Sequence, residues 1–119
     1  MTSRQRAKGN RGELDAVALY ARHFPEWPVR RRLQEGRADD EGDLQGVPYT
    51  CVQVANVEDL LDAISHKLPE LAAQRERCRA PYGVLLIRRR GGRFIAIMDE
   101  AHYVTAQAAL VAYAEAVGL

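Results

Sequence analysis

The feature that most constrains the fold is the run Tyr82-Gly83-Val84-Leu85-Leu86-Ile87, closed off by Pro81 before it and Arg88 after it. It has the length of a strand and is too short for a core helix. It shows no polar alternation, so it reads as a central strand buried on both faces. Such a strand needs neighbours, and the flanking sequence offers them. Arg88-Arg89-Arg90-Gly91-Gly92-Arg93 reads as a hairpin turn, because Gly-Gly permits positive φ. Phe94–Met98 is then the return strand. Upstream, Tyr49–Ala55 is a further strand with Thr50, Val52 and Val54 on one face and Tyr49, Cys51, Gln53 and Ala55 on the other. Gly46 and Pro48 mark a turn or bulge, and Asp43–Gln45 forms a short strand before it. Val29–Gln34 alternates with three consecutive arginines, which makes it an edge strand. Glu35–Gly42 is a polar loop.

Between and around these strands the sequence has helical spacing. Asn10 reads as an N-cap with Glu13 as its capping-box partner, opening a helix to about His23 that Pro25 and Pro28 terminate. Its stripe is Glu13, Val17, Tyr20, Ala21 and Phe24, widened by Leu14 and Ala18. Residues 1–9 are then a flexible basic arm and residues 10–119 the domain. Asn56 is placed to cap a helix over Val57–Lys67, with Leu60, Leu61, Ile64 and Leu68 inward. Pro69 should interrupt or kink it before a continuation over Glu70–Arg79. Thr105 is a candidate cap for a last helix to Val117, with Ala106, Leu110, Tyr113 and Val117 inward. The order α-β-β-β-α-β-β-α predicts an α/β (α+β) single domain, a mixed central sheet flanked by helices.

A chain of 119 residues supports one core, not two. No apolar run reaches the ~18 residues of a membrane span. The basic start lacks the apolar segment of a signal peptide. Cys51 and Cys78 lie in apolar or helical patterns without zinc-site spacing, which suits reduced thiols in a cytoplasmic protein.

The net charge of +1 hides a segregation. Residues 1–37 hold Arg4, Arg6, Lys8, Arg11, Arg22, Arg30, Arg31, Arg32 and Arg37 against four acids. Residues 39–70 hold Asp39, Asp40, Glu41, Asp43, Glu58, Asp59, Asp62 and Glu70 against Lys67. Residues 75–93 hold seven arginines against Glu76. Nearly all the cations are arginines, whose planar forks grip phosphate in a bidentate way. Two basic segments around an acidic one suit a phosphate-binding rim about a metal pocket. A solvated, functionless surface fits the same pattern.

The individual candidates are ambiguous on residue type alone. Asp43 is either a turn aspartate or a ligand for a hard cation such as Mg²⁺. Glu13 is either a capping residue or a carboxylate aimed at the same ion. Gln53 and Ala55 share a strand face, and nothing in their composition is catalytic. Glu58, Asp59 and Asp62 suit a helix N-terminus, where the dipole favours acids. His23, His66 and His102 form no spaced set.

Together, Asn10-Arg11-Gly12-Glu13, Gly42-Asp43-Leu44-Gln45-Gly46-Val47-Pro48 and the alternating Cys51–Asn56 stretch resemble the PD-(D/E)xK nuclease superfamily. More narrowly, the chain resembles the small Holliday junction resolvases of actinobacterial phages, from about Lys8 to Thr105. The resemblance includes the Gly83–Gly92 hairpin and Tyr103–Thr105. It implies a homodimer acting on four-way DNA junctions with Mg²⁺ or Mn²⁺. Carried onto this sequence, the catalytic positions are Glu13, Asp43, Gln53 and Ala55, and the metal positions are Asp43, Gln53, Val54 and Glu13. The DNA-binding cations would be Arg4, Arg6, Lys8, Arg11, Arg30, Arg31, Arg32, Arg88, Arg89, Arg90 and Arg93.

The family's Glu-x-Lys falls on Gln53-Val54-Ala55, and the sequence departs from it at both ends. Gln53 offers a neutral oxygen where the family supplies charge. Ala55 cannot position the attacking water. One lost electrostatic group of that kind costs about 3–4 kcal/mol of barrier. Two readings follow. One is a junction-cleaving endonuclease disabled at these positions, by a near-isosteric change and a truncation of the kind used for deliberate inactivation. The other is a natural, non-catalytic DNA-binding pseudo-nuclease. Lys67 is a conceivable migrated lysine. A protein-interaction domain with an incidental arginine-rich surface is a third reading.

Overall fold

A computed structural model describes residues 3–32 and 42–119. In chain order the elements are α1 (Ser3–His23), β1 (Arg30–Arg31), β2 (Leu44–Gln45), β3 (Thr50–Ala55), α2 (Leu60–Cys78), β4 (Tyr82–Arg88), β5 (Phe94–Ile97) and α3 (Glu100–Ala116). The strands form one mixed five-stranded sheet in the order β1-β2-β3-β4-β5. Only β3 and β4 run parallel, from Thr50 opposite Tyr82 to Ala55 opposite Ile87. The remaining pairs are antiparallel. This is the mixed α+β domain read from the sequence. The polar loop expected over Glu35–Gly42 lies outside the described residues except for Gly42, as do Leu33 and Gln34 of the first strand.

Both faces of the β3–β4 pair are covered, which is why Tyr82–Ile87 carries no alternation. Val52, Val54, Val84 and Leu86 pack with Ala16 and Leu44 on the α1 side. Cys51, Ala55, Leu85 and Ile87 pack with Ala63 and Leu71 on the α2 side. Leu85 and Ile87 are fully buried, and side chains of that kind each stabilise by about 1.5–3 kcal/mol. Cys51 and Cys78 are free thiols.

α2 differs from its predicted form. It begins at Leu60, and its N-cap is Asp59, whose carboxylate accepts from the Asp62 N–H. Asn56 is not the cap. The helix also continues through Pro69 to Cys78. Leu60, Ile64, Leu68 and Cys78 pack around the same core as Ala63 and Leu71, on both sides of the proline. Stopping at Pro69 would strip half of that stripe from the sheet, a larger loss than the ~3 kcal/mol a helical proline costs. Arg79 ends the helix in the left-handed conformation, its N–H bonded to the Arg75 and Glu76 carbonyls.

α1 is also longer than its predicted form. It starts at Ser3, so Asn10 lies inside it and is not an N-cap, and residues 3–9 are helical. Its buried positions are Gly12 and Ala16, with Val17 and Tyr20 beside them, while Leu14 and Phe24 are exposed. A side chain at Gly12 would press on Asn56 Cβ, at 2.9 Å, so the glycine sets how closely α1 approaches β3. Tyr20 lies against the core, and burial pushes its phenol above the ordinary range. Phe24 and Trp27 stack at 3.8 Å where the chain turns toward β1.

The largest departure is α3. It begins at Glu100, capped by the Asp99 carboxylate, and not at Thr105. The stripe predicted to point inward is largely outward, with Leu110, Tyr113 and Val117 at 65%, 61% and 53% exposure. No α3 residue is buried against the described chain. Among the described residues, no helix is long and apolar enough to cross a membrane.

Two turn glycines have positive φ but different surroundings. Gly46, at φ 95°, sits against the Pro28 carbonyl, which a Cβ would overlap, whereas Gly91, at φ 75°, faces open space. Gly46→Ala should lower unfolding stability by about 2–4 kcal/mol and Gly91→Ala by only about 1 kcal/mol. Urea denaturation of both variants checks this difference.

Candidate nucleic-acid interface

The parallel strands β3 and β4 end together, and that end of the sheet collects the charged residues. In a sheet of this kind the carboxyl ends of parallel strands form a natural binding crevice. Three clefts there share lining residues. The first is lined by Lys8, Asn56, Val57, Glu58, Arg88, Arg89 and Arg90. The second, sharing Arg88, adds Arg11, Asp15, Ala18, Arg22 and the hairpin glycines. The third, of about 670 Å³, shares Lys8 and Asn56 with the first and adds Glu13, Asp43, Val54, Ala55 and Lys67.

α1 is stitched across this end by side chains that diverge from one helix. Glu13 pairs with Arg31 of β1 at 3.0 Å. Asp15 pairs with Arg88 of β4 at 2.6 Å. Asn10 accepts from Arg31 at 2.7 Å. Asn56, just past β3, donates to the Lys8 carbonyl at 2.7 Å. The Arg89 guanidinium donates to the Glu58 carbonyl at 3.2 Å, fastening the chain that leaves β3. These contacts hold Lys8, Arg11, Arg88 and Arg89 on one surface.

Asp43 has a structural task. Its backbone bridges Arg32 and Val52, and its carboxylate accepts from the Val54 N–H at 2.8 Å. The preceding Gly42 turns the chain away at φ 97°. The side chain therefore replaces the backbone acceptor that β2 no longer provides. This is a turn-region aspartate whose carboxylate bonds the neighbouring strand.

Of the four predicted catalytic positions, Glu13, Asp43 and Ala55 line one cleft, together with Val54. Gln53 does not. It is 3% exposed on the α2 side of the sheet, and its amide donates to Glu70 at 3.3 Å. Its carbonyl oxygen has no partner among the described residues. Glu70 also lies 3.7 Å from Lys67. Lys67, not Ala55, brings a cation to the Asp43 cleft.

The donor set does not fit a Mg²⁺ ion as it stands. Such an ion wants carboxylate oxygens. Glu13 is held by Arg31, Asp43 already serves Val54, and Gln53 is turned away. Among the described residues no three acids, histidines or cysteines converge.

The predicted DNA-binding residues divide. Lys8, Arg11, Arg88, Arg89 and Arg90 line the clefts at this end. Arg4 and Arg6 lie exposed in the first turns of α1, and Arg93 is exposed after the hairpin. Arg30 is exposed on the sheet edge. Arg31 is committed to Glu13, and Arg32 faces a cleft at the opposite end with Arg79. Sequence reading missed Arg22, which lines the second cleft, and the pairing of Asp15 with Arg88. The helical spacing of Arg11, Asp15, Ala18 and Arg22 was the available signal for the second cleft.

Compared with known proteins, the chain matches no family model, no curated protein and no solved structure.

The Gln53–Glu70 contact sets a stability test. Gln53→Glu would put a carboxylate at a buried position, against that of the exposed Glu70, and cost about 1–3 kcal/mol. Adding Glu70→Gln should recover most of that loss. A double-mutant cycle by urea unfolding reads the coupling.

Proposed function

We propose that the chain binds branched DNA, four-way junctions in particular, on a scaffold of the junction-resolving nuclease type whose cleavage step is disabled. The observation that carries this reading is the run of cations at the carboxyl ends of β3 and β4. Lys8, Arg11, Arg22, Arg88, Arg89 and Arg90 surround clefts whose acids are fewer and partly paired. A phosphate backbone is the polyanion such a surface suits, and arginine forks bind it in register.

The element order and the sequence motifs supply the nuclease part. Glu13 and Asp43 stand in one cleft, as the resemblance to PD-(D/E)xK nucleases implies. Gln53 and Ala55 withhold the charge and the lysine that hydrolysis would need. Binding and cutting thus separate. The arginines keep the first, and the altered β3 loses the second. The non-catalytic pseudo-nuclease is the form of the reading that the Gln53–Glu70 contact favours, because it gives the Gln53 amide an acceptor on α2 that a glutamate there would repel.

Fluorescence anisotropy of the full chain across a salt series tests the binding. A four-way junction should bind at least about tenfold tighter than linear duplex of the same length, with affinity falling steeply as salt rises. Lys8→Ala and Arg90→Ala should each reduce the salt slope by about 1 and weaken both substrates. Salt-insensitive or absent DNA binding would overturn the proposal.

A second measurement isolates cleavage. The chain as it stands should not nick a junction in Mg²⁺ or Mn²⁺. The variant Gln53→Glu, Ala55→Lys should nick it, most strongly with Glu70→Gln added to remove the like charge. If the folded triple variant binds junctions but cuts nothing, the nuclease ancestry is rejected and the DNA-binding reading stands.

A further inference from the structure

The amino ends of β3 and β4 carry a cleft of a different character from those at the carboxyl ends. It has a volume of about 310 Å³, and Arg32, Val47, Tyr49, Arg79 and Pro81 are among its lining residues. Each of the three clefts at the carboxyl ends includes an acid: Glu58 in the first, Asp15 in the second, Glu13, Asp43 and Glu58 in the third. Among its described lining residues, the cleft at the amino ends includes none. Two guanidinium groups with no carboxylate beside them favour an anion.

The backbone supplies a second observation. Among the described residues, the only positions other than glycine with positive φ are Tyr49, at 59°, and Arg79, at 55°. Both line this cleft. A bulky residue in that region is uncommon, and such outliers cluster where ligands bind. Tyr49 is 77% exposed, so burial of its ring does not offset the strain. Glycine would serve the turn between β2 and β3 with less strain. The Tyr49 carbonyl accepts from the Tyr82 N–H at 3.1 Å, and the Arg79 N–H bonds the Arg75 and Glu76 carbonyls. Both side chains therefore leave from fixed backbone at one cleft.

We propose that this cleft binds a single nucleotide, its base stacked on Tyr49 and its phosphate held by Arg79 and Arg32. The ligand follows from the chemistry of the lining. Arginine forks match phosphate oxygens. An exposed aromatic ring beside cations is the arrangement on which bases of any sequence stack. Val47 and Pro81 give the base an apolar wall. The volume, close to the ~300 Å³ lower bound of ligand pockets, admits one such unit and no folded partner. A free nucleotide and one unit of an unpaired strand present the same base and phosphate. The cleft lies at the opposite end of the sheet from the proposed junction surface and does not depend on it.

Isothermal titration of the full chain with deoxyadenosine monophosphate tests the site. Deoxyadenosine, inorganic phosphate and a short single-stranded oligodeoxynucleotide are titrated beside it. The monophosphate should bind at least about tenfold tighter than the nucleoside or phosphate alone. Tyr49→Gly should weaken it at least about fivefold. The same variant should unfold in urea no earlier than the parent chain, because glycine accepts φ 59°. Tyr49→Phe should retain binding. Arg79→Gly, which also suits its left-handed position, should weaken the monophosphate about tenfold and leave the nucleoside unaffected. An oligodeoxynucleotide that binds through Tyr49 more tightly than the monophosphate assigns the cleft to unpaired strands, and equal or weaker binding assigns it to free nucleotides. No junction enters these titrations, so their outcome is independent of the junction-binding reading. Inorganic phosphate binding as tightly as the monophosphate, binding indifferent to Tyr49→Gly, or no binding of either nucleotide probe at millimolar concentration would each overturn the proposal.

Discussion

The structure depends on the parallel pairing of β3 with β4. Six consecutive residue pairs, Thr50–Tyr82 to Ala55–Ile87, fix the two strands in register. Parallel strands require a crossover, and α2 is that crossover, lying on the face lined by Cys51, Ala55, Leu85 and Ile87. Because the strands end together, Asn56 and Arg88–Arg90 emerge side by side. A register slip of one residue would turn Val52 and Val54 toward α2 and drive Gln53 into the α1 side. The charged surface at the strand ends is thus a consequence of core packing and not a separate construction.

α1 translates that register into a charged surface. Gly12 lets the helix approach β3 at Asn56, and Glu13 and Asp15 reach opposite ways to Arg31 and Arg88. These pairs are partly exposed, so each contributes modestly to stability. Their larger effect is orientation. They take Arg31 out of the pool of free cations and set Arg88 between two clefts. Asp43 adds a second constraint by capping the Val54 N–H where β2 departs. A carboxylate engaged in that way holds the strand edge closed, and its replacement would disturb the fold as well as any bound cation.

Much of this was legible in the sequence, and the failures share a cause. Tyr82–Ile87 announced a doubly covered strand, and Gly91-Gly92 its hairpin, because both signals are local. The order of elements followed. Pro69 misled because a proline's local cost was outweighed by the core on either side of it, which only the fold reveals. Asn10 misled because a good capping residue also serves as an interior hydrogen-bond acceptor, here for Arg31. The α3 stripe was read correctly as apolar but assigned to a core that the single chain does not supply. At the site, Asp43, Glu13 and Ala55 could be grouped by motif. The contact of Gln53 with Glu70 could not, since it joins residues 17 apart across a strand–helix packing.

On the proposed reading, binding and cutting make different demands on one scaffold. Hydrolysis demands reacting groups held within about 0.5 Å of the productive geometry and slows steeply when one charged group is lost. Phosphate binding is looser, because arginine side chains adapt and the field of several cations adds over a Debye length of about 8–10 Å. Gln53 turns to Glu70 and Ala55 packs in the same cluster as Ala63, so β3 carries no acid between Thr50 and Ala55. The carboxylates of a metal site repel DNA until a cation neutralises them. Glu13 is answered by Arg31 and Asp15 by Arg88, which leaves Asp43 and Glu58 as the other acids lining these clefts. On the proposed reading, the residues that would withhold the chemistry also lower the repulsion toward a phosphate backbone.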